Sequence, residues 1–309
     1  MQPLRLGTRT SPLARWQAEW VARRLEQLGI AVELVGITTE GDVRGGSLAA
    51  FGGVGVFTKE IQKALLEERI DIAVHSFKDL PVQQPPGLCV AAVPERARPF
   101  DVLVSNCACT VEQLPPGARV GSGSVRRRAQ LAHWRRDLRF ADVRGNVDTR
   151  LRKLDEGRYD ALVLAEAGLA RLGKAWRIAQ SLEPPRFLPA VGQGALAIEV
   201  RTDDQRAREL VRPLDDLASR AAVTAERALL GRLRAGCLAP VAAWGRLEDG
   251  ELVLDAVVLD AAGQRRIHAA RRARPEEAES LGRLLAEELL QQGADHLLST
   301  RQVPRPYGD

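Results

Sequence analysis

Short apolar segments alternate with longer amphipathic segments over most of residues 3–211. A strand-like segment at 3–8 is followed by a helix-like segment at 11–29, and the same order recurs at 118–136 and at 138–157. A strand that is followed by a helix and then by another strand favours parallel pairing, so the pattern predicts α/β sheets. Ser11 is expected to cap the first helix, because Pro12 follows it at the first helical position.

The pattern changes near residue 214. A long helix, three strand-like segments and a helix at 275–292 follow, which predicts a small C-terminal α+β domain. Residues 95–101 and 181–187 are expected to connect two α/β lobes. The glycine-rich residues 39–55 are expected to form a mobile loop, because they contain few large apolar side chains.

Composition limits the class of protein. The chain has 309 residues and a net charge of +5, with 45 Lys and Arg against 40 Asp and Glu. Only five of the basic residues are lysines, so arginine dominates the positive charge. No apolar run approaches the ~20 residues of a membrane helix, and the N-terminus has no secretory pattern. We therefore expect a cytoplasmic protein without membrane partners.

The cysteines and histidines predict no metal site. Cys89, Cys107, Cys109 and Cys237 form no CxxC pair, and the four histidines are scattered. We expect no disulfide framework in a chain of this class, and we interpret the first three cysteines as small core or loop residues.

Three predicted strand-to-helix junctions carry arginine together with hydroxyl or amide side chains. They are GTRTSPLA (7–14), GSGSVRRRAQ (121–130) and VRGNVDTR (143–150). Backbone N–H groups at a helix start bind anions, and guanidinium groups bind carboxylates with two hydrogen bonds. The junctions predict a ligand with several carboxylates or phosphates, and a solvated basic face is the alternative.

Two further segments carry reactive side chains. In HSFKDLP (75–81) Lys78 and Asp79 follow a buried strand, where a carboxylate could stabilise positive charge on a substrate nitrogen. In RAGCLAP (234–240) Cys237 lies in a tight loop and has no core face to serve. A surface ion pair and a buried structural cysteine are the respective alternatives.

Read together, the motifs resemble the porphobilinogen deaminase family from about residue 4 to residue 300. They occur in the family's order: GTRTSPLA, GGVGVFTKE, DIAVHSFKDLP, GSGSVRRRAQL, VRGNVDTRLRKL, YDALVLAEAGLARLG, LPAVGQGALAIE, TAERALL and GCLAP. The resemblance implies two periplasmic-binding-protein-like α/β lobes and a C-terminal domain. Domain 1 would contain 1–96 and 190–213, domain 2 would contain 97–189, and domain 3 would contain 214–309.

The resemblance also implies the reaction. The family joins four porphobilinogen molecules head to tail with loss of ammonia, and then releases hydroxymethylbilane by hydrolysis. The chain grows on a covalent dipyrromethane cofactor, whose thioether position aligns with Cys237. The aspartate that stabilises positively charged pyrrole species aligns with Asp79, and Lys78 beside it is the second expected catalytic residue. The family expectation is a monomer.

The remaining family contacts are carried over position by position. Cofactor contacts fall on Ser76, Lys78, Asp79, Ser122, Ser124, Arg126, Arg127, Arg144 and Gly145; substrate contacts fall on Arg9, Ser11, Lys59, Arg144, Arg150, Arg171 and Gln193. Val54 stands where members often have lysine, and Leu238 with Ala239 departs from the usual residues after the cysteine. We expect these departures to change loop behaviour and to leave the activity intact.

Two other classes of protein are alternatives. A two-lobed anion-binding protein without catalysis would explain the arginines, but it explains neither HSFKDLP nor Cys237. Nucleic-acid binding has only the basic charge in its favour, since aromatic residues make up 4% of the chain and no recognition helix is evident.

Overall fold

The computed structural model of the chain describes residues 2–38, 58–236 and 239–299. The predicted mobile loop at 39–55, including Val54, lies outside the described residues. The predicted cofactor anchor Cys237 and its neighbour Leu238 also lie outside them.

The chain divides into two compact units. Unit 1 comprises Met1–Ala97 and Gly192–Arg220, and unit 2 comprises Arg98–Val191 and Ala221–Asp309. The second unit contains two separate sheets, which the division into two compact units does not separate. The division of the chain into three domains therefore stays a prediction.

The sheet of unit 1 has the strand order β2-β1-β3-β10-β4. Its strands are β1 (Leu4–Arg9), β2 (Val32–Ile37), β3 (Ile72–Ser76), β4 (Leu88–Ala92) and β10 (Leu196–Arg201). The helices of this unit are α1 (Pro12–Gln27), α2 (Lys59–Leu66) and α6 (Gln205–Val211), and α7 (Leu217–Arg232) begins in it.

The core of unit 1 forms where α1 packs against the sheet. Leu6, Val21, Leu25, Ile72 and Ile198 are among its buried residues. The predicted start of α1 is confirmed, because the Ser11 side chain accepts a hydrogen bond from the backbone N–H of Ala14 and proline opens the helix.

One expectation about this sheet is wrong, because the sheet is mixed rather than parallel. Strands β1, β2 and β3 are parallel, but β10 runs antiparallel to both β3 and β4. The chain reaches β10 only after passing through Arg98–Val191. No single crossover helix sets its direction, and an antiparallel neighbour does not need one.

The first sheet of unit 2 repeats this arrangement with the order β7-β6-β8-β5-β9. Strands β6, β7 and β8 are parallel, and β5 is antiparallel to β8 and β9. Its strands are β5 (Asp101–Ser105), β6 (Arg119–Gly121), β7 (Arg139–Ala141), β8 (Ala161–Ala165) and β9 (Gln180–Leu182). Its helices are α3 (Val125–Trp134), α4 (Val147–Asp155) and α5 (Glu166–Arg171).

The C-terminal part of unit 2 is the predicted α+β structure. Three antiparallel strands, β11 (Val241–Glu248), β12 (Glu251–Leu259) and β13 (Arg266–Ala273), pack with helices α7, α8 (Ala278–Gln291) and α9 (Ala294–Ser299). The predicted fold class of two α/β lobes with a small C-terminal α+β domain is confirmed.

The cysteines require a correction. A disulfide bond joins Cys107 and Cys109 in the loop that follows β5, in a chain for which no disulfide framework was expected. Ala108 between them adopts a left-handed conformation with φ 53°, and the two Cα atoms lie 5.2 Å apart. This distance lies within the range that a disulfide spans.

Candidate active site

The first predicted junction lies at the carboxyl end of β1. Arg9 is the last residue of this strand, and Ser11 caps α1 two residues later in the turn to the helix. Strand β3 is the parallel neighbour of β1, with Leu6 opposite Ile72. The carboxyl ends of both strands therefore meet at one edge of the sheet, which is where α/β sheets bind ligands.

Strand β3 ends in the second predicted motif. His75 and Ser76 are its last residues, and a 3-10 turn over Phe77–Asp79 follows directly. Phe77 is buried under the turn, whereas Asp79 is exposed at its end. The turn thus anchors its first residue in the core and leaves the carboxylate accessible.

These side chains surround a pocket in unit 1. Its lining is formed by Arg9, Ser11, Leu13, Ala14, Gln17, Thr58, Val74, His75, Ser76 and Asp79. Four of the predicted site residues thus lie together, namely Arg9, Ser11, Ser76 and Asp79. A guanidinium and two hydroxyls can bind carboxylates, and the aspartate can accept an N–H or stabilise positive charge.

The Ser76 hydroxyl is held by a residue that the sequence analysis did not single out. Gln17 donates its side-chain N–H to Ser76 Oγ at 2.9 Å, and Ser76 Oγ lies 3.3 Å from the amide oxygen of Gln17. Gln17 is buried, although it lies on a helix with an apolar core face. A glutamine at a position of the apolar face of a predicted helix is the sequence signal that could have identified it.

Lys78 and Gln193 form a second group beside the pocket. The Lys78 ammonium donates to the side-chain oxygen of Gln193 at 3.2 Å, and the Gln193 carbonyl accepts from Arg96 Nε at 2.8 Å. Gly192 lies so close to the 3-10 turn over Phe77–Asp79 that a Cβ on this residue would be 3.2 Å from the backbone nitrogen of Lys78. The described lining of the pocket does not include Lys59, Lys78 or Gln193.

The junction between β6 and α3 in unit 2 has the same local design. The Ser124 side chain accepts from the Arg127 backbone N–H, and Ser122 Oγ accepts from the Ser124 N–H at 3.3 Å. The side chains of Arg126 and Arg127 are nevertheless buried. They bind the carboxylate of Asp101, which is fully buried at the start of β5, at N–O distances of 2.7 Å.

Backbone carbonyls complete this buried cluster. Arg126 also donates to the carbonyl of Leu188 at 2.8 Å, and Arg127 donates to the carbonyl of Val163 at 3.0 Å. Burial lowers the pKa of Arg126, and the charge of Asp101 only partly offsets this effect. The cluster holds unit 2 together, and direct contact of Arg126 and Arg127 with a ligand stays a prediction.

The junction between β7 and α4 is more exposed. Arg144 lies 3.6 Å from Asp142, and half of its side-chain surface remains accessible. The Gly145 carbonyl accepts from Arg150 Nε at 2.7 Å, and the positive φ of 106° at Gly145 permits the turn. Asn146 caps α4 by accepting from the Thr149 N–H at 2.9 Å.

Arg171 ends α5, the helix that follows β8. Burial lowers the pKa of its guanidinium to about 10. Strands β7, β6 and β8 are parallel neighbours, so Ser122 and Arg144 follow the carboxyl ends of β6 and β7 at one edge of this sheet, and Arg171 lies six residues beyond the end of β8. Unit 2 therefore has its own basic edge.

Metal-binding clusters and membrane-spanning helices are absent from the described residues. Within residues 2–38, 58–236 and 239–299, no group of three or more His, Cys, Asp or Glu side chains could hold a metal ion. In the same part of the chain, no helix has both the length and the apolar character that crossing a membrane requires.

Several solved structures are similar to this chain at low identity. A putative periplasmic sulfonate-binding protein from Methylobacillus flagellatus KT is 14% identical, with 74% of this chain and 67% of that chain covered and a TM-score of 0.40. The methionine binding protein MetQ is 12% identical, with coverages of 68% and 89% and a TM-score of 0.45. An ancestral cationic amino acid solute binding protein is 16% identical, with coverages of 69% and 87% and a TM-score of 0.43. At these scores the likeness carries no argument about the ligand.

Family models match nearly the whole chain. Residues 4–209 match the porphobilinogen deaminase dipyromethane cofactor binding domain. Residues 220–291 match the porphobilinogen deaminase C-terminal domain. The first match includes the pocket of unit 1 and the three junctions of the sequence analysis.

Proposed function

The chain belongs to the porphobilinogen deaminase family, and from this premise we propose which of its residues perform the family's reaction. That reaction makes hydroxymethylbilane from four porphobilinogen molecules, and it makes the chain a transferase. Our proposal is that Cys237 carries the dipyrromethane, that Asp79 stabilises the positive charge on the substrate, and that Arg9, Arg144, Arg150 and Arg171 bind its carboxylates.

The observation that carries the proposal is the composition of the unit 1 pocket. Arg9, Ser11, Ser76 and Asp79 lie in one lining. Porphobilinogen has an acetate, a propionate and a pyrrole N–H, so a ligand built from it needs both anion-binding and N–H-accepting groups. The donors and acceptors of the pocket fit a dipyrromethane for the same reason. When bound, the dipyrromethane supplies the free pyrrole carbon on which the product is built.

Asp79 is proposed to act as the charge-stabilising residue. Loss of ammonia from the aminomethyl group leaves positive charge spread over the substrate's pyrrole ring and its nitrogen. A carboxylate beside the developing charge lowers the barrier, because it is already oriented before the reaction begins. The 3-10 turn that ends β3 provides this orientation for Asp79.

The basic residues are proposed to bind and orient the carboxylates. Arg9 and Ser11 serve in unit 1, and Ser122, Ser124, Arg144, Arg150 and Arg171 serve along the edge of unit 2. Arginine suits this task because its planar fork matches a carboxylate, whereas lysine provides a point charge. Lys59, Lys78 and Gln193 are proposed to contact the ligand from outside the described lining. A cytoplasmic location and a monomeric state also stay predictions.

Intact mass tests the proposal directly. We expect the purified protein to exceed its chain mass by two porphobilinogen molecules less two ammonia molecules, because each addition expels one ammonia. The Cys237→Ser variant should have the bare chain mass. Cys89→Ser is the matched control, since Cys89 is a free, half-buried thiol in β4 and should leave the excess unchanged.

The contrary results are equally specific. A wild-type mass equal to the bare chain, unchanged after incubation with porphobilinogen, would favour an anion-binding protein without catalysis. An excess that persists in Cys237→Ser and disappears in Cys89→Ser would move the anchor to the other thiol.

A further inference from the structure

Strand β10 contains a carboxylate in an otherwise apolar, buried segment. Glu199 is 0% exposed and lies between Ile198 and Val200, which are also fully buried. An ionised side chain in such surroundings is costly unless polar groups compensate for the lost water. Its partners therefore indicate why the residue is present.

Two buried side chains lie against it, and one of them donates hydrogen bonds to it. Gln62 on α2 donates its side-chain N–H to both carboxylate oxygens of Glu199, at 3.0 and 3.2 Å. His75 Nε2 lies 3.2 Å from Glu199 Oε2, with side-chain exposures of 3% and 0%. This approach is a charge contact without hydrogen-bond geometry, and among the described residues Nε2 has no hydrogen-bond partner.

The same histidine belongs to the lining of the unit 1 pocket, together with Ser76 and Asp79. Gln62 lies one helical turn after Thr58, another lining residue, and its backbone N–H donates to the Thr58 carbonyl at 2.8 Å. The buried cluster of Gln62, Glu199 and His75 thus joins α2, β10 and β3 behind the pocket.

The chemistry of imidazole indicates what the cluster does. A neutral imidazole carries its proton on one nitrogen and accepts at the other. A carboxylate next to Nε2 favours the proton at Nε2, which leaves Nδ1 as the acceptor nitrogen. Gln62 holds the Glu199 carboxylate in place, so the position of this carboxylate decides which nitrogen of the His75 ring carries the proton.

We propose that Glu199, held by Gln62, fixes the tautomer and orientation of His75, so that the imidazole accepts a hydrogen bond from a pyrrole N–H of the ligand in the pocket. Glu199 and Gln62 are positioning residues in this scheme, and His75 is a ligand contact in addition to those predicted from the sequence. This inference rests on the proposed function for the identity of the ligand.

The effect should fall on kcat rather than on KM. A pyrrole N–H becomes a stronger donor as its ring acquires positive charge, so the hydrogen bond to His75 strengthens in the transition state. Interactions that strengthen there raise kcat, whereas uniform binding changes only KM. A hydrogen bond to a charged group contributes enough for an effect of about 10-fold or more.

The first experiment compares Glu199→Gln with wild type. We expect kcat for hydroxymethylbilane formation to fall about 10-fold, with KM changed less than about 2-fold. The double variant with His75→Gln should lose little beyond His75→Gln alone, because both changes remove one interaction. Additive losses, or an unchanged kcat in Glu199→Gln, would overturn the proposal.

Glu226→Gln is the matched control. Glu226 is also a 0% exposed glutamate, and it accepts from the Gly245 N–H in unit 2. It should lower the thermal stability and leave kcat and KM of the folded enzyme unchanged. A similar loss of kcat in this control would assign the Glu199 effect to general destabilisation and overturn the proposal.

A second measurement does not depend on activity. In protein labelled with ¹⁵N-histidine, the His75 shifts should report the Nε2–H tautomer, and Gln62→Met should weaken this preference. A wild-type ring with its proton on Nδ1 overturns the inference, even if Glu199→Gln fails to fold. Absence of both the wild-type mass excess and porphobilinogen turnover would instead remove the proposed function, while the ¹⁵N result would still report on the cluster.

Discussion

In unit 1 the junction between β1 and α1 has Arg9 in the lining of a pocket, whereas in unit 2 the junction between β6 and α3 has Arg126 and Arg127 bound to a buried aspartate. Both junctions start a helix with a serine N-cap after a short strand. The difference is that unit 2 has Asp101, a fully buried carboxylate at the start of β5.

The comparison shows that a local motif does not determine the use of its charged residues. A guanidinium that faces a pocket is available to a ligand, and one that faces a buried carboxylate stabilises the fold. Five substitutions test how the charged residues are used, beginning with the largest expected effect.

Asp101→Asn should be the most damaging change. It leaves two buried guanidinium groups without their counter-charge, and breaking a buried ion pair in this way costs about 3–5 kcal/mol. Urea unfolding should show this loss in the free energy of unfolding of unit 2. A loss below about 1 kcal/mol would indicate that water reaches the arginines and that their role is not structural.

Asp79→Asn should affect catalysis without affecting stability. The residue is exposed, so the thermal midpoint should stay near the wild-type value. Removal of a preorganised electrostatic group costs about 10²- to 10³-fold in kcat. Ammonia release measures this loss, with Asp295→Asn, an exposed aspartate on α9, as the control. Full activity in Asp79→Asn would exclude the proposed charge stabilisation.

Arg9→Lys and Arg126→Lys form a matched pair, because each keeps the charge and removes the planar fork. For Arg9 we expect KM for porphobilinogen to rise about 10-fold with unchanged stability, since a charge-assisted hydrogen bond is lost. For Arg126 we expect the main loss in the free energy of unfolding. The reverse pattern would contradict the assignment of one arginine to binding and the other to structure.

Asp71→Asn should give the smallest effect, which is a change in how the free energy of unfolding depends on pH. Burial alone would raise the pKa of Asp71, but hydrogen bonds and charge from Arg5, with the charge of Arg201, lower it overall. A lowered pKa in the folded state stabilises the protein above the unfolded value of about 3.9, and this stabilisation is lost as the pH falls through the folded value.

The measurement is urea unfolding between pH 6 and pH 2, and the effect is about 1 kcal/mol or less, because Arg5 is 38% exposed. Asp71→Asn should have a shallower loss of stability in acid than wild type. Identical acid profiles for the two proteins would contradict the assigned shift.

Much of the fold could be predicted because its signals are local. Ser11 and Pro12 marked the start of α1, and the change of pattern near residue 214 marked the C-terminal α+β structure. The motif order was sufficient to indicate the family. Neighbouring parallel strands also brought the predicted Arg9, Ser11, Ser76 and Asp79 together, as the rule for α/β sheets anticipates.

Only the tertiary structure decided which residues meet across long stretches of chain. Gln62 and Glu199 are 137 positions apart, and the pairing of β10 with β3 joins segments that are separated by much of unit 2. The buried partner of Arg126 and the partner of His75 follow from such pairings. Hydrophobic periodicity and capping act over one or two turns of chain, whereas burial and ion pairing depend on the whole packed unit. The sequence alone therefore determined the family and the local elements, and packing determined which charged residues face a ligand.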